Sequence, residues 1–380
     1  MVEVSQGNPV WSLGLMSGTS MDGVDAALVR TDGDSIAEFG PSLFLAYDED
    51  YRARMSAANR AAPVTATPTL RDPARWPPAL TGLATSAVTI HLEAIRRLGG
   101  SPQVVGFHGQ TISHRPAEGF TLQLGDGAAV AAGCGVVTVW DFRSADLRAG
   151  GEGAPLAPFF HFALARRAGL EAPVAFLNLG GVGNVTWIDP AADAPGAAGA
   201  LLAFDTGPAN ALIDDFMAAR TGAGYDADGA AAGRGSVASE ILARFRHTPY
   251  LDRTPPKSLD RNDFLPVLEA VSELGTEDGA ATLTAFTADC VAAARRHMPS
   301  PPARWLVCGG GRRNLTLMRM LAERLEAPVD PVEAVGLDGD MLEAQAFAYL
   351  AVRVLRDLPT SAPATTGCRE PVCGGRISYP

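Results

Sequence analysis

Lysine is almost missing from this chain. Of its 31 lysines and arginines, only Lys257 is a lysine, in the run Pro255-Pro256-Lys257-Ser258. A G-x-x-x-x-G-K-[ST] phosphate loop is therefore excluded, and so is the strand lysine of protein kinases. Any phosphate chemistry must rest on backbone amides, arginine or a cation. Long apolar runs are also missing: Gly, Pro or charge interrupts each one before the roughly 18 residues of a membrane span. Met1 to Val10 carries Glu3 and no basic cluster ahead of an apolar stretch, so it does not read as a secretory leader. The expectation is a soluble, cytoplasmic protein without membrane contact. Cysteine is sparse: Cys134, Cys290, Cys308, Cys368 and Cys373, an odd and irregularly spaced set that fits reduced thiols. Cys368 and Cys373 lie close in sequence, but no second Cys or His pair accompanies them, which argues against zinc. Positive charge is outnumbered: the net charge is −11, with a pI near 5.0, a surface that repels nucleic acid.

What the chain does contain is material for a core. Hydrophobic residues make up 47% and charged residues 19% of 380 positions, a globular composition long enough for two domains. Apolar runs at Val10–Met16, Val24–Arg30, Gln103–Phe107, Val136–Trp140, Val174–Leu179, Val185–Ile188 and Trp305–Cys308 predict strands. Helical spacing covers Thr81–Leu98, Pro158–Ala168, Asn210–Ala219, Ala280–Met298, Leu315–Leu325 and Met341–Leu355, the last with Asp338 or Asp340 as cap. The alternation predicts an α/β architecture. Leu13–Val29 and Phe176–Ile188 share a strand, small-residue turn, strand pattern, which fits either a duplicated fold or chance.

Four groups of residues suit chemistry. Gly18, Thr19, Ser20, Met21, Asp22, Gly23, Val24 and Asp25, preceded by Ser17, form a loop of glycines, hydroxyls and carboxylates. Its amides can donate to phosphate, and Asp22 and Asp25 suit Mg²⁺ or its waters; a plain hairpin turn is the alternative. Asp141 follows a buried-type strand and precedes Phe142-Arg143, a placement for a general base or for a turn cap paired with Arg143. His108, Gly109 and Gln110 sit among polar residues just past a predicted strand and suit ligand contact, although a lone histidine is commonly structural. Three small-residue loops follow: Asn178 to Asn184 with Gly180 and Gly181; Asp205-Thr206-Gly207; and Gly309-Gly310-Gly311 leading to Asn314. Each alone reads as a turn; together, in order, they suit a nucleotide.

In the segments GLMSGTSMDGVDAAL, GFHGQTISHRP, LQLGDGAAVA, VWDFRSADLRAGGEGAPL, LNLGGVGNVT, FDTGPANALID, PPKSLDRNDF and LVCGGGRRN, the chain resembles the anhydro-N-acetylmuramic acid kinase family over nearly its whole length. The resemblance implies a two-domain actin-like sugar kinase fold, a duplicated ribonuclease H-like α/β unit with the nucleotide between domains. Residues 1–130 with about 340–380 would form one domain, and 131–339 the other. Gly18 to Asp25 becomes one phosphate loop; Asn178 to Asn184 and Asp205 to Gly207 become the facing one. Gly309 to Gly311 and Asn314 would lie near the nucleoside, Asp141 would be the catalytic aspartate, and His108, Gly109, Gln110 and Arg143 would border the sugar. Glu343 would face the cleft. The implied ligands are ATP with Mg²⁺ and 1,6-anhydro-N-acetylmuramic acid, in peptidoglycan recycling, and the implied assembly is a homodimer. Another phosphotransferase on the same fold, of hexokinase or acetate type, is one alternative; a non-catalytic nucleotide-binding regulator is another.

Overall fold

The computed structural model describes residues 7–18, 21–62, 67–259 and 261–380, with backbone alone at 261 and 262. Thr19 and Ser20 lie outside the described residues. The chain divides into two compact units, Met1–Arg167 with Met341–Pro380, and Ala168–Asp340. Residues 131–167, which the sequence reading assigned to the second half, pack with the first.

The strands of the described residues are β1 (Val10–Ser17), β2 (Gly23–Thr31), β3 (Ile36–Ala46), β4 (Val104–Arg115), β5 (Phe120–Leu124), β6 (Thr138–Trp140), β7 (Val174–Leu179), β8 (Val182–Ile188), β9 (Leu201–Pro208), β10 (Arg304–Cys308), β11 (Val329–Pro331) and β12 (Arg376–Ser378). The first unit orders them β12-β6-β4-β1-β2-β3, with β5 on β4; the second orders them β11-β10-β7-β8-β9. The same plan recurs. An antiparallel meander, β1-β2-β3 or β7-β8-β9, is extended on its first strand by two parallel strands, β4 and β6 or β10 and β11. The two echoing segments of the sequence are the first hairpins of these two sheets.

Strand β1 shows how each face is filled. Leu13 and Leu15 enter a core with Leu80, Leu83 and Ala94 of the helix Pro78–Leu98. Ser12 and Gly14 point the other way, to the helix Leu342–Leu355, where Ser12 Oγ donates to Ala348 O at 2.8 Å. A Cβ on Gly14 would stand 1.8 Å from Ala344 O, and one on Gly106 2.1 Å from Phe347 O, so this helix lies directly on backbone. In the second unit, the helices Asn210–Thr221, Thr276–Ala294 and Leu315–Leu325 pack with β7, β8 and β10 around Leu177, Val185, Phe216, Phe286, Trp305 and Leu321.

Several local expectations are corrected. Strand β3 was not anticipated, because most of its residues are exposed or half-buried and Pro41 interrupts it. The helix Glu49–Ala61, capped by Asp48 accepting from Tyr51 N at 2.6 Å, carries few buried apolar residues and left no strong periodicity. Strand β4 does not stop at Phe107. Pairing with β5 carries it through His108, Gly109 and Gln110 to Arg115. Neither Asp338 nor Asp340 caps the helix Leu342–Leu355; it starts after Met341 without a side-chain cap, and Asp340 is paired with Arg312 and Arg313.

Candidate active site

In the first unit the parallel pairing of β4 ends at Trp140 of β6 and at Ser17 of β1. Phe107 pairs with Trp140, so His108 and Asp141 follow neighbouring positions at the carboxyl end of the sheet. In open α/β sheets that edge is where ligands are held. Asp141 sits there, half-buried, with φ 51°, a left-handed conformation unfavourable for a side chain other than glycine. Ser144 Oγ donates to its Oδ1 at 2.5 Å, while Oδ2 receives no hydrogen bond from the described residues. Asp141 neither caps the helix Ser144–Arg148, whose start lacks a side-chain cap, nor pairs with Arg143.

Arg143 turns instead to His108. Its Nε and Nη2 lie 3.2 and 3.0 Å from His108 Nε2, and its Nη1 donates to Gly153 O at 2.8 Å. His108 Nδ1 lies 2.7 Å from Gly109 O, which can only accept, so the ring proton resides on Nδ1 and Nε2 accepts from Arg143. Burial, followed by the Arg143 charge, drives the His108 pKa well below its ordinary value, so the ring is neutral. Burial also lowers Arg143 to about 10, opposed by Glu343 and Asp146. Glu343 lies in the first turn of the helix Leu342–Leu355. Burial raises its pKa and Arg143 lowers it; its side chain stays open to solvent, which limits the rise. His108 is thus a buried support for Arg143, with both ring nitrogens engaged, rather than a ligand-facing group.

Gln110 is likewise spent inside the unit. Its Nε2 donates to Gly18 O at 2.9 Å and its Oε1 accepts from Tyr47 Oη at 3.3 Å. Gly109, at φ 74°, would bring a Cβ within 2.6 Å of Leu124 O. Ser17 is buried too, its Oγ donating to Gly109 O at 3.1 Å. The first loop is therefore anchored at Gly18, and Met21 N closes a turn onto Gly18 O at 3.2 Å. Met21 packs on the core, Val24 is fully buried, and Gly23 lies against Leu45 O. Asp22 is exposed and Asp25 half-buried. Both lie close enough to Tyr47 to reinforce burial in raising its pKa to about 12. Among the described residues no group of three or more His, Cys, Asp or Glu side chains could hold a metal. Two carboxylates beside phosphate-type donors still suit Mg²⁺, which keeps waters and takes ligands from its substrate.

The second unit gathers its own polar row. Cys308 pairs with Asn178, Asn178 with Asn184, and Asn184 with Asp205. Directly paired residues share a face. Because Leu177, Leu179, Val185 and Phe204 enter the core, Asn178, Asn184 and Asp205 line the opposite face, half-buried. Gly180 and Gly181 form the adjoining hairpin tip, their carbonyls held by the backbone of Ala209, Asn210 and Ala211. Gly309 is at φ 73°, and a Cβ there would stand 2.3 Å from Asn178 Oδ1. Gly310 is exposed, while Gly311 is packed on Leu179. Thr206 is buried and donates to Gly183 O at 3.1 Å, and Gly207 is buried beside Cys290. Asn314 is a helix cap, accepting from Leu317 N at 2.9 Å, with its side chain turned inward.

Sequence reasoning missed the supports of Asp205. Tyr250 Oη donates to its carbonyl at 2.8 Å, Leu259 N to its Oδ2 at 2.9 Å, and its own N–H donates to Lys257 O at 3.0 Å. Lys257 locks this strap through Nζ bonds to Tyr250 O and Leu251 O at 3.0 and 3.1 Å. Spacing gave no hint of this; the signals were the lone lysine and the PPKSLDRNDF segment that contains it. Also missed were Arg312, paired with Glu333 and Asp340 at 2.8 and 3.0 Å, and Asp146.

The repeated sheet order, with a polar cluster built into each unit, defines an α/β protein of two units built on one plan. The model of the family described as anhydro-N-acetylmuramic acid kinase matches residues 10–380. Relatives named anhydro-N-acetylmuramic acid kinase include one from Cereibacter sphaeroides, 54% identical over 99% of this chain and 98% of its own length. One from Roseobacter denitrificans is 51% identical over 99% and 96%, and one from Rhodospirillum rubrum 53% identical over 96% and 93%. The chain belongs to the anhydro-N-acetylmuramic acid kinase family. No helix of the described residues is long and apolar enough to cross a membrane.

Proposed function

We propose that the chain uses ATP with Mg²⁺ to convert 1,6-anhydro-N-acetylmuramic acid and water into N-acetylmuramate 6-phosphate and ADP. The observation that carries this reading is Asp141. It is a half-buried carboxylate at the carboxyl end of β6, oriented through Oδ1 by Ser144 and left open at Oδ2. Oδ2 takes a proton from the water that attacks the anomeric carbon, the 1,6-anhydro bond breaks, and O6 receives the γ-phosphoryl group. Arg143 and Glu343 border the sugar. The first unit offers phosphate the backbone of Gly18 and of Met21 to Asp25; the second offers the row Asn178, Asn184 and Asp205 with Gly180, Gly181 and Gly309 to Gly311. Asp22 and Asp25 would hold Mg²⁺, which when bound would supply positive charge against the phosphates. Bulk water must be kept from the phosphates, because hydrolysis of ATP competes. The protein works in the cytoplasm as a homodimer.

A coupled ADP-release assay with the anhydro sugar tests this on the wild type and on Asp141→Asn. The wild type turns over, and the variant loses about 10²- to 10⁴-fold in kcat while still binding ATP. Phosphorylation of glucose, or of the anhydro sugar with its ring intact, would replace this reading with a simpler sugar kinase. ATP binding without turnover, unchanged by the substitution, would point to a regulator.

A further inference from the structure

Asp146 is 1% exposed and lies in the short helix Ser144–Arg148. Its oxygens bind three segments together. Oδ1 accepts from Ser361 Oγ at 2.5 Å and Thr366 Oγ1 at 2.6 Å, both from the C-terminal segment. Oδ2 accepts from Gly153 N at 2.7 Å. The same Gly153 gives its carbonyl to Arg143 Nη1 at 2.8 Å. One residue, Gly153, therefore links a buried carboxylate to a half-buried guanidinium, and Arg143 then holds His108. Further bonds clamp the loop to the C-terminal segment, from Glu152 N to Thr366 O at 2.8 Å and from Arg369 N to Ala149 O at 3.2 Å. A Cβ at Gly151 would stand 2.2 Å from Asp146 Oδ2, so the loop closes tightly over the carboxylate.

We propose that Asp146, clamped by Ser361 and Thr366, is a positioning residue that sets Arg143 for the sugar through the N–H and C=O of Gly153. The inference rests on the reading above that Arg143 borders the sugar. Three of Arg143's five N–H groups are used on Gly153 and His108. That fixes the guanidinium plane and leaves two donors for a ligand. The C-terminal segment thereby becomes part of the site's support. The groups facing Asp146 are donors on every side: the Ser361 and Thr366 hydroxyls, the Gly153 amide and the buried Cys368 thiol, with Arg143 beyond them.

The test measures KM for the anhydro sugar and for ATP in Asp146→Asn, in Ser361→Ala with Thr366→Val, in Arg143→Met, and in Arg143→Met combined with Asp146→Asn. Loss of the Asp146 bonds should raise the sugar KM about tenfold or more and leave the ATP KM within about twofold. Because Asp146 acts through Arg143, the combined variant should be no worse for sugar than Arg143→Met alone. If Asp146→Asn does not fold, the hydroxyl variant carries the same expectation. An unchanged sugar KM, equal rises in both KM values, or additive losses would each overturn the proposal. A wild type that does not turn over the sugar would instead overturn the reading on which it rests.

Discussion

Acidification should weaken the first unit through His91, and the size of the effect follows from its surroundings. The ring is fully buried in the helix Pro78–Leu98 and lies edge-on to Phe107 at 4.9 Å between centroids. Nδ1 is 2.6 Å from Ala87 O, an acceptor, so it carries the proton and Nε2 is bare, 3.3 Å from Ser17 Oγ. Burial pushes the pKa from 6.5 down to about 4. Below pH 6.5 the unfolded chain binds a proton that the folded chain refuses until about pH 4, so stability falls as pH falls through that window. At 1.36 kcal/mol per pKa unit the loss is about 3 kcal/mol near pH 4. His91→Leu keeps the bulk and removes the titration; losing the hydrogen bond costs about 1 kcal/mol at pH 7. Urea unfolding followed by far-UV circular dichroism at several pH values, fitted for each unit because two units need not unfold together, gives the difference between wild type and variant. That difference should shift by about 3 kcal/mol in the variant's favour between pH 7 and pH 4. A difference independent of pH would refute the assignment of a neutral, desolvated ring.

Gly14→Ala should lower the urea midpoint of the first unit by the equivalent of about 2 kcal/mol or more, because the new methyl meets Ala344 O at 1.8 Å and the helix must move; a wild-type midpoint would contradict the packing. Lys257→Met should remove the charged Nζ bonds to Tyr250 O, which keeps Arg253 N, and to Leu251 O, which keeps Arg296 and His297. The cost should be about 1–3 kcal/mol, and amide exchange at Leu259, bonded to Asp205 Oδ2, should accelerate at least about tenfold. Unchanged exchange there would show that the lysine does not hold the strap.

The sequence by itself determined a good deal. Alternating and continuous apolar runs located β1, β2, β7, β8 and β10. Helical periodicity located Leu315–Leu325 to the residue and Leu342–Leu355 to within one. The motifs that carry the family resemblance flagged Asp141, Arg143 and Glu343, which the first unit brings near one another, and Asn178, Asn184 and Asp205, which share a row in the second. These signals are local: a strand's apolar side chains, or a motif, are written in neighbouring residues. Tertiary structure alone decided the rest. Strand β3 and the helix Glu49–Ala61 bury too little to leave a pattern. The extension of β4 through His108 depends on β5 offering a partner edge. The inward roles of His108, Gln110 and Asn314 follow from packing, since a polar side chain reads the same in sequence whether it meets a ligand or a neighbour. Asp146 shows the limit best. Its partners Ser361 and Thr366 lie 215 and 220 residues away, and only folding brings those hydroxyls to one carboxylate, where desolvation makes every bond count.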